Sequence, residues 1–250
     1  MTVVAIVQAR MGSTRLPGKV LADLGGAPLL DRVVARALAC AAIDQVVVAT
    51  GEHAEDDPIA VRARAIGAAI FRGSAHDVLD RYRGAAIAAR ADVIVRLTAD
   101  CPLLDPAVIG AVVAALGDDV DYASNTLVRS YPRGLDVEAF HADALYRIAR
   151  LARSPAAREH VTAFVLERPD LFVTRQVVAA RDDSDLRITV DTADDLAAVR
   201  MIWDRLGGGG AIARCDEIVA FLRRHPEVRA LNADVVQTSW RDVEVTHAHV

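Results

Sequence analysis

The stretch VVAIVQARMGSTRLPGKVL, residues 3–21, decides the fold. Five of its first six residues are apolar and four are β-branched, which reads as a short buried strand. Residues 9–18 then carry two Gly, a Ser, a Thr and a Pro, which reads as a loop. Beyond it, Leu29, Leu30, Val33, Val34, Ala37 and Leu38 recur at helical spacing. Strand, glycine-bearing loop and helix in that order open a parallel α/β sheet, and such sheets bind ligands outside the carboxyl ends of their strands.

The same alternation continues outward from this unit. Residues 46–49, 69–71 and 93–97 read as buried strands, and 58–66, 77–89 and 106–116 as helices. Asp77 and Asp105 suit N-caps, and Pro106 suits a first turn. The pattern predicts a mostly parallel sheet with helices on both faces. The second half is less regular. Residues 137–140, 172–178 and 186–190 read as strands. Helices are expected at 142–151, 156–168, 193–206 and 218–224, with Ser154-Pro155 as a joint and the glycine run 207–210 as a stop. His247 and His249 belong to a polar tail. No internal repeat occurs, and 1–250 is expected to be one domain.

Composition narrows the function. Hydrophobic residues make up 53% of 250 and charged ones 25%, which excludes wholesale disorder. A net charge of −5 gives no reason to expect the basic face of a nucleic-acid binder. Cys40, Cys101 and Cys215 are odd in number and far apart, which argues against a disulfide framework or a zinc knuckle. No 18-residue apolar run is present, so no membrane span is expected, and the N-terminal apolar run is too short for a signal peptide. A cytoplasmic protein is the expectation. Of the 29 cationic residues, 28 are Arg, and the single Lys is Lys19.

Lys19 lies in the loop that opened the reading. Arg10, Arg15 and Lys19 place three positive charges within ten residues, among the hydroxyls of Ser13 and Thr14 and a backbone freed by Gly12 and Gly18. Backbone amides plus cations suit a polyphosphate, although a solvated surface turn has the same composition. Five residues separate Gly12 from Gly18 and Val20 follows Lys19, so the loop is not a Walker A motif. Two carboxylates stand out further on. Asp100 follows the strand at 93–97 and lies too far upstream to cap the helix from Pro106, whereas Asp105 suits that cap. Asp191 precedes Thr192, which can cap the next helix, while Asp194 and Asp195 suit its first turn. Asp191 is thereby left without a local task.

Five segments in order, QARMGSTRLPGKVL at 8–21, RLTADCPLLDP at 96–106, YPRGLDVEAF at 131–140, REHVT at 158–162 and VDTADDL at 190–196, resemble the cytidylyltransferases that activate acidic sugars. These include the 3-deoxy-manno-octulosonate and acylneuraminate enzymes, and the resemblance is nearest to the branch of spore-coat polysaccharide biosynthesis. It implies a three-layer, mostly parallel sheet of the nucleotide-diphospho-sugar transferase (GT-A-like) type. It also implies transfer of CMP from CTP to an acidic sugar or similar acceptor, with release of pyrophosphate. Arg15, Lys19, Asp100 and Asp191 would be the catalytic set, with Mg²⁺ on Asp100 and Asp191. Gln8, Ala9, Arg10, Met11, Gly12, Ser13, Thr14, Arg15, Lys19 and Thr98 would bind the nucleotide. Thr98 stands where the octulosonate enzymes carry Gln, and residues 8–10 read Gln-Ala-Arg where those enzymes have Pro-Ala-Arg.

On the acceptor side, Arg133 would pair a carboxylate, and Asp136 and Glu138 would meet sugar hydroxyls or help the metal. Arg158 and His160 complete that set, although for His160 a core or interface position is an equal alternative. A solvated strand edge is the alternative for 132–138. Residues 125–180 lie where related enzymes insert a dimerisation element, which implies a homodimer. Two rival functions remain: a glycosyltransferase of the same architecture using a nucleotide-sugar, and a nucleotide-binding module without turnover.

Overall fold

Val3–Gln8 forms strand β1, whose side chains alternate between two buried faces. The computed structural model describes residues 1–207 and 212–237; His247, His249 and Gly208–Gly210 lie outside them. After β1 comes a small hairpin of β2 (Asp23–Leu24) and β3 (Ala27–Pro28), then α1 (Leu29–Leu38), β4 (Gln45–Gly51), α2 (Asp57–Ala65) and β5 (Ala69–Gly73). Next are α3 (Val78–Ala88), β6 (Val93–Thr98), α4 (Pro106–Ala115), β7 (Tyr122–Ser124), β8 (Glu138–His141) and α5 (Ala142–Leu151). The described chain continues through α6 (Pro155–His160), α7 (Ala163–Glu167), β9 (Thr174–Gln176), α8 (Ala193–Leu206), α9 (Cys215–Arg224) and α10 (Pro226–Ala230).

Seven strands form one sheet in the order β5-β4-β1-β6-β8-β7-β9. Only β8 runs against the rest. Along β1, Ala5 and Val7 pack on one side with α1 and α4, while Val4 and Ile6 pack on the other with α3 and α5. A parallel sheet covered on both faces needs such near-continuous apolar strands. A third cluster joins Leu186, Ile188 and Val190 to α8 and α9.

The expected caps are present. Asp77 accepts from the Asp80 N–H, Asp105 from the Ala107 N–H, and Thr192 and Asp195 form a reciprocal box at the start of α8. All three cysteines are free thiols. No helix among the described residues is long and apolar enough to cross a membrane.

Three expectations change. The helix expected over 156–168 is broken into α6 and α7 at Val161, whose φ of 56° lies in the left-handed region. The Thr162 N–H closes onto the His160 carbonyl at 2.5 Å, a tight three-residue turn rare for a β-branched residue. The strand expected over 186–190 is extended but joins no ladder. Its neighbours are single residues: Arg133 exchanges bonds with Leu186 and Ile188, and the Val190 N–H donates to the Asp100 carbonyl. Within 172–178 only Thr174–Gln176 pairs, and it pairs with β7, a three-residue strand absent from the sequence reading.

Candidate active site

The register of the sheet sets the site. Gln8 at the end of β1 lies between Ala49 of β4 and Thr98 of β6, so residues 9–18 and 99–105 leave the same carboxyl edge. Residues 9–18 are tied down at the base. Asp56, 2% exposed, accepts the Met11 N–H at 2.7 Å on one oxygen and the Gly51 N–H at 3.1 Å on the other. The Met11 carbonyl in turn accepts the N–H groups of Ser13 and Gly18. Gly18 turns the chain at φ 69°, a conformation that favours glycine, and delivers Lys19 into a single 3₁₀ turn. Asp56 was not singled out from sequence, because an Asp one residue before a helix ordinarily reads as a cap.

Lys19 ends in a cage of three acceptors. Its ammonium donates to Asp100 Oδ2 at 2.7 Å, to Asp191 Oδ1 at 2.7 Å and to the Val190 carbonyl at 2.8 Å. Three N–H donors meet three oxygens, and the residue is only 9% exposed. Burial works to lower the pKa of this ammonium, but the two carboxylates outweigh it and hold the value above 10.5. Asp191 is a hub. Its second oxygen takes Arg15 at 3.0 Å and Arg187 at 2.8 Å. Burial would raise its pKa, and Lys19, Arg187 and Arg15 together push it below the usual carboxylate range. Arg187 also grips the fully buried Asp195 through two nitrogens. Arg187 was missing from the sequence reading, since nothing local distinguishes one Arg among 28.

A cleft of about 520 Å³ opens over this cluster. Of the nucleotide-side residues expected from sequence, Gln8, Ala9, Arg10, Ser13, Thr14, Arg15, Lys19 and Thr98 line it, together with Asp100 and Asp191. Met11 and Gly12 do not: Met11 packs against the core beneath α1, and its amide is spent on Asp56. On the acceptor side, Arg133, Asp136 and His160 line the cleft. Asp136 is held by both terminal nitrogens of Arg129, at 2.7 and 2.9 Å. Gly134 lies so close to the 186–190 segment that a Cβ there would meet the Thr189 nitrogen at 2.6 Å. His160 has a buried Nε2 without a partner among the described residues, and burial lowers its pKa.

Two expected acceptor residues are elsewhere. Glu138 points into the sheet, paired with Arg96 at 3.1 Å and accepting the Thr162 hydroxyl at 2.7 Å. Its neighbour on β6 is the half-buried Arg96, and that pairing takes it away from the cleft. Arg158 is spent on Asp77, which also caps α3, and on the Ala149 carbonyl. Cys101 lines the cleft as a neutral thiol, because burial pushes its pKa well up.

The donor set can be weighed for a divalent cation. No cluster of three or more acidic, His or Cys side chains is poised for a metal among the described residues. Asp100 and Asp191 nevertheless converge on one point, at Lys19, and among the described residues Asp100 Oδ1 meets only the Cys101 thiol, at 3.6 Å. One or two carboxylates completed by phosphate oxygens and water are how proteins usually hold Mg²⁺, so the residues fit a cation that arrives with a phosphate ligand.

This fold, a mostly parallel sheet with an anchored loop and two carboxylates at its carboxyl edge, is that of the nucleotidyltransferases. Residues 4–203 match the cytidylyltransferase family model, and the chain belongs to that family. It is 34% identical over 230 residues to the spore coat polysaccharide biosynthesis protein SpsF of Bacillus subtilis, covering 89% of this chain and 94% of that one. It is 35% identical over 241 residues to the 3-deoxy-manno-octulosonate cytidylyltransferase of Anaeromyxobacter dehalogenans, covering 80% and 97%. A solved cytidylyltransferase from Leptospira borgpetersenii superposes with a TM-score of 0.87 at 30% identity, over 96% of this chain and 100% of that one.

Proposed function

We propose that the protein transfers CMP from CTP to an acidic sugar or similar acceptor and releases pyrophosphate. The observation that carries this reading is the convergence of Lys19, Arg15, Asp100 and Asp191 on one cleft in a cytidylyltransferase chain. An acceptor oxygen attacks the α-phosphorus as the bond to pyrophosphate breaks. The leaving group takes the electron pair, and the acceptor's proton passes to solvent. Arg15, now on Asp191, exchanges that carboxylate for a triphosphate oxygen, and the loop amides around Ser13 and Thr14 add further donors. Lys19 keeps the two aspartates together at a distance that their mutual repulsion would otherwise oppose. Arg133, on the opposite wall, suits a carboxylate of the acceptor. Asp100 and Asp191 would hold Mg²⁺, which supplies neutralisation of phosphate charge when bound. The neutral, buried Cys101 argues for direct transfer without a covalent enzyme intermediate. A single domain, a homodimer and a cytoplasmic location accompany this reading; sedimentation tests the dimer.

The test is pyrophosphate release from each nucleoside triphosphate over a panel of 2-keto and other acidic sugars, with Mg²⁺ and with chelator. CTP-dependent release that the chelator abolishes is expected. Nucleoside diphosphate release from a nucleotide-sugar would identify a glycosyltransferase instead. CTP binding with no product over the whole panel would identify a non-catalytic module.

A further inference from the structure

The last six described residues, 232–237, are joined to the cleft by a closed circuit of polar contacts. Asn232, 5% exposed, donates to Asp195 Oδ1 at 2.9 Å and to the Arg187 carbonyl at 3.3 Å. Asp195 holds the Arg187 guanidinium, which reaches Asp191 at 2.8 Å and Gln237 Oε1 at 2.7 Å. Asp191 holds Arg15, and Arg15 donates its other terminal nitrogen to the Val236 carbonyl at 3.1 Å. The circuit thus leaves the segment at Asn232 and returns to it at Val236 and Gln237.

Polar bonds, not burial, attach the end of this segment. Val236 is 80% exposed. A second cavity of about 520 Å³ lies behind it and shares Arg133 and Gln237 with the cleft. Of this segment, Asn232, Ala233 and Val235 line the second cavity and Gln237 lines both. They also lie beyond residue 203, where the family match ends. Both arginines they touch converge on the same oxygen of Asp191. A long side chain ordered before its ligand arrives does not lose that freedom on binding, so ordering of this kind is expressed as affinity.

We propose that residues 232–237 are a positioning strap for the nucleotide site, with Asn232 and Gln237 orienting Arg187 and the Val236 carbonyl orienting Arg15. The proposal rests on the nucleotide reading above and names residues that reading does not use.

The test uses the full chain with Asn232→Ala and, because Asn232 is buried, the surface variant Gln237→Ala. CTP with Mg²⁺ is titrated calorimetrically without acceptor, and KM and kcat are measured by pyrophosphate release. Hydrogen exchange of residues 9–18 is followed in the nucleotide-free protein. Losing a hydrogen bond within a charged network weakens CTP by roughly tenfold, raises KM in step and leaves kcat within about twofold. Exchange in residues 9–18 rises. Unchanged CTP affinity in both variants, or a fall in kcat at constant KM, overturns the strap. A lowered melting temperature with parental affinity overturns it too, since that is a merely structural role. If the parent binds no CTP, the nucleotide reading fails and the exchange measurement alone decides. Faster exchange in residues 9–18 then supports the strap, and unchanged exchange overturns it.

Discussion

Lys19→Arg keeps the charge and changes only its shape. The ammonium saturates three acceptors at 2.7, 2.8 and 2.7 Å from one nitrogen. A planar guanidinium spreads its donors over three nitrogens and cannot direct three N–H bonds from one point. It is also larger, in a position 9% exposed, and overpacking of that kind costs about 1–3 kcal/mol. Lys19→Met supplies the upper limit. Removing one partner of a buried ion pair costs about 3–5 kcal/mol. Asp100 and Asp191 keep side-chain exposures of 24% and 15%, and Arg15 and Arg187 remain on Asp191, so about 3 kcal/mol is expected. For a chain of this length that lowers the melting temperature by roughly 6–12 °C. Lys19→Arg is expected to melt a few degrees low and to lose at least about thirtyfold in turnover, equivalent to about 2 kcal/mol of barrier. The pH dependence adds a signature. Asp191 is held below the usual carboxylate range, so its contribution is present above a pH of about 4 and is lost as pH falls through the lowered value. Lys19 is held above 10.5, so its contribution is complete below that value and is lost as pH rises through the raised one. Calorimetric melts of parent and Lys19→Met from pH 3 to 11, with pyrophosphate-coupled rates for Lys19→Arg, read all of this. An Arg variant with parental rate and melting temperature refutes the argument from shape, and an acid limb equally steep in the Met variant refutes the argument from charge.

Asp56→Ala leaves two backbone N–H groups without their acceptor and is expected to cost about 1–3 kcal/mol; the loss should appear both as a lower melting temperature and as faster exchange at Met11 and Gly51. Glu138→Gln uncouples the half-buried Arg96, and an expected destabilisation of about 2 kcal/mol with little change in acceptor KM would confirm that Glu138 holds the sheet and not the sugar; a large KM effect at parental stability would reverse that assignment. Arg90 closes α3 at φ 52°, so Arg90→Gly should gain about 0.5–1 kcal/mol and raise the melting temperature by a few degrees with activity unchanged.

The strand at Val3–Gln8 and the helices at Ala142–Leu151 and Ala193–Leu206 fall where their apolar periodicity and, for the last, the Thr192 cap place them, because those signals are local. Residues 186–190 show the limit of that logic. Leu186, Ile188 and Val190 alternate as in a strand and are buried as a strand would be, yet the partners across from them are the lone backbones of Arg133 and Asp100. Alternation reports which face is buried, not what lies beside the edge. The break at Val161 is invisible for a related reason: no Gly or Pro marks it, and a β-branched residue is held at positive φ by the packing around it. In the candidate site, Asp100 and Asp191 were legible as carboxylates without a local task and Lys19 as the single lysine, and the structure brings all three together. Their mutual pairing was not legible, because the lysine and the second aspartate are 172 positions apart. Asp56 and Asn232 were hidden too, since each is an ordinary polar residue until the fold brings the Met11 amide to one and the Asp195 carboxylate to the other; Arg187 lies only four residues from Asp191, but nothing local marks it among 28 Arg. The compositional clue survives on physical grounds. In a chain that uses Arg at 28 of 29 cationic positions, the exception stands where one nitrogen must serve three oxygens, the geometry that a guanidinium cannot supply.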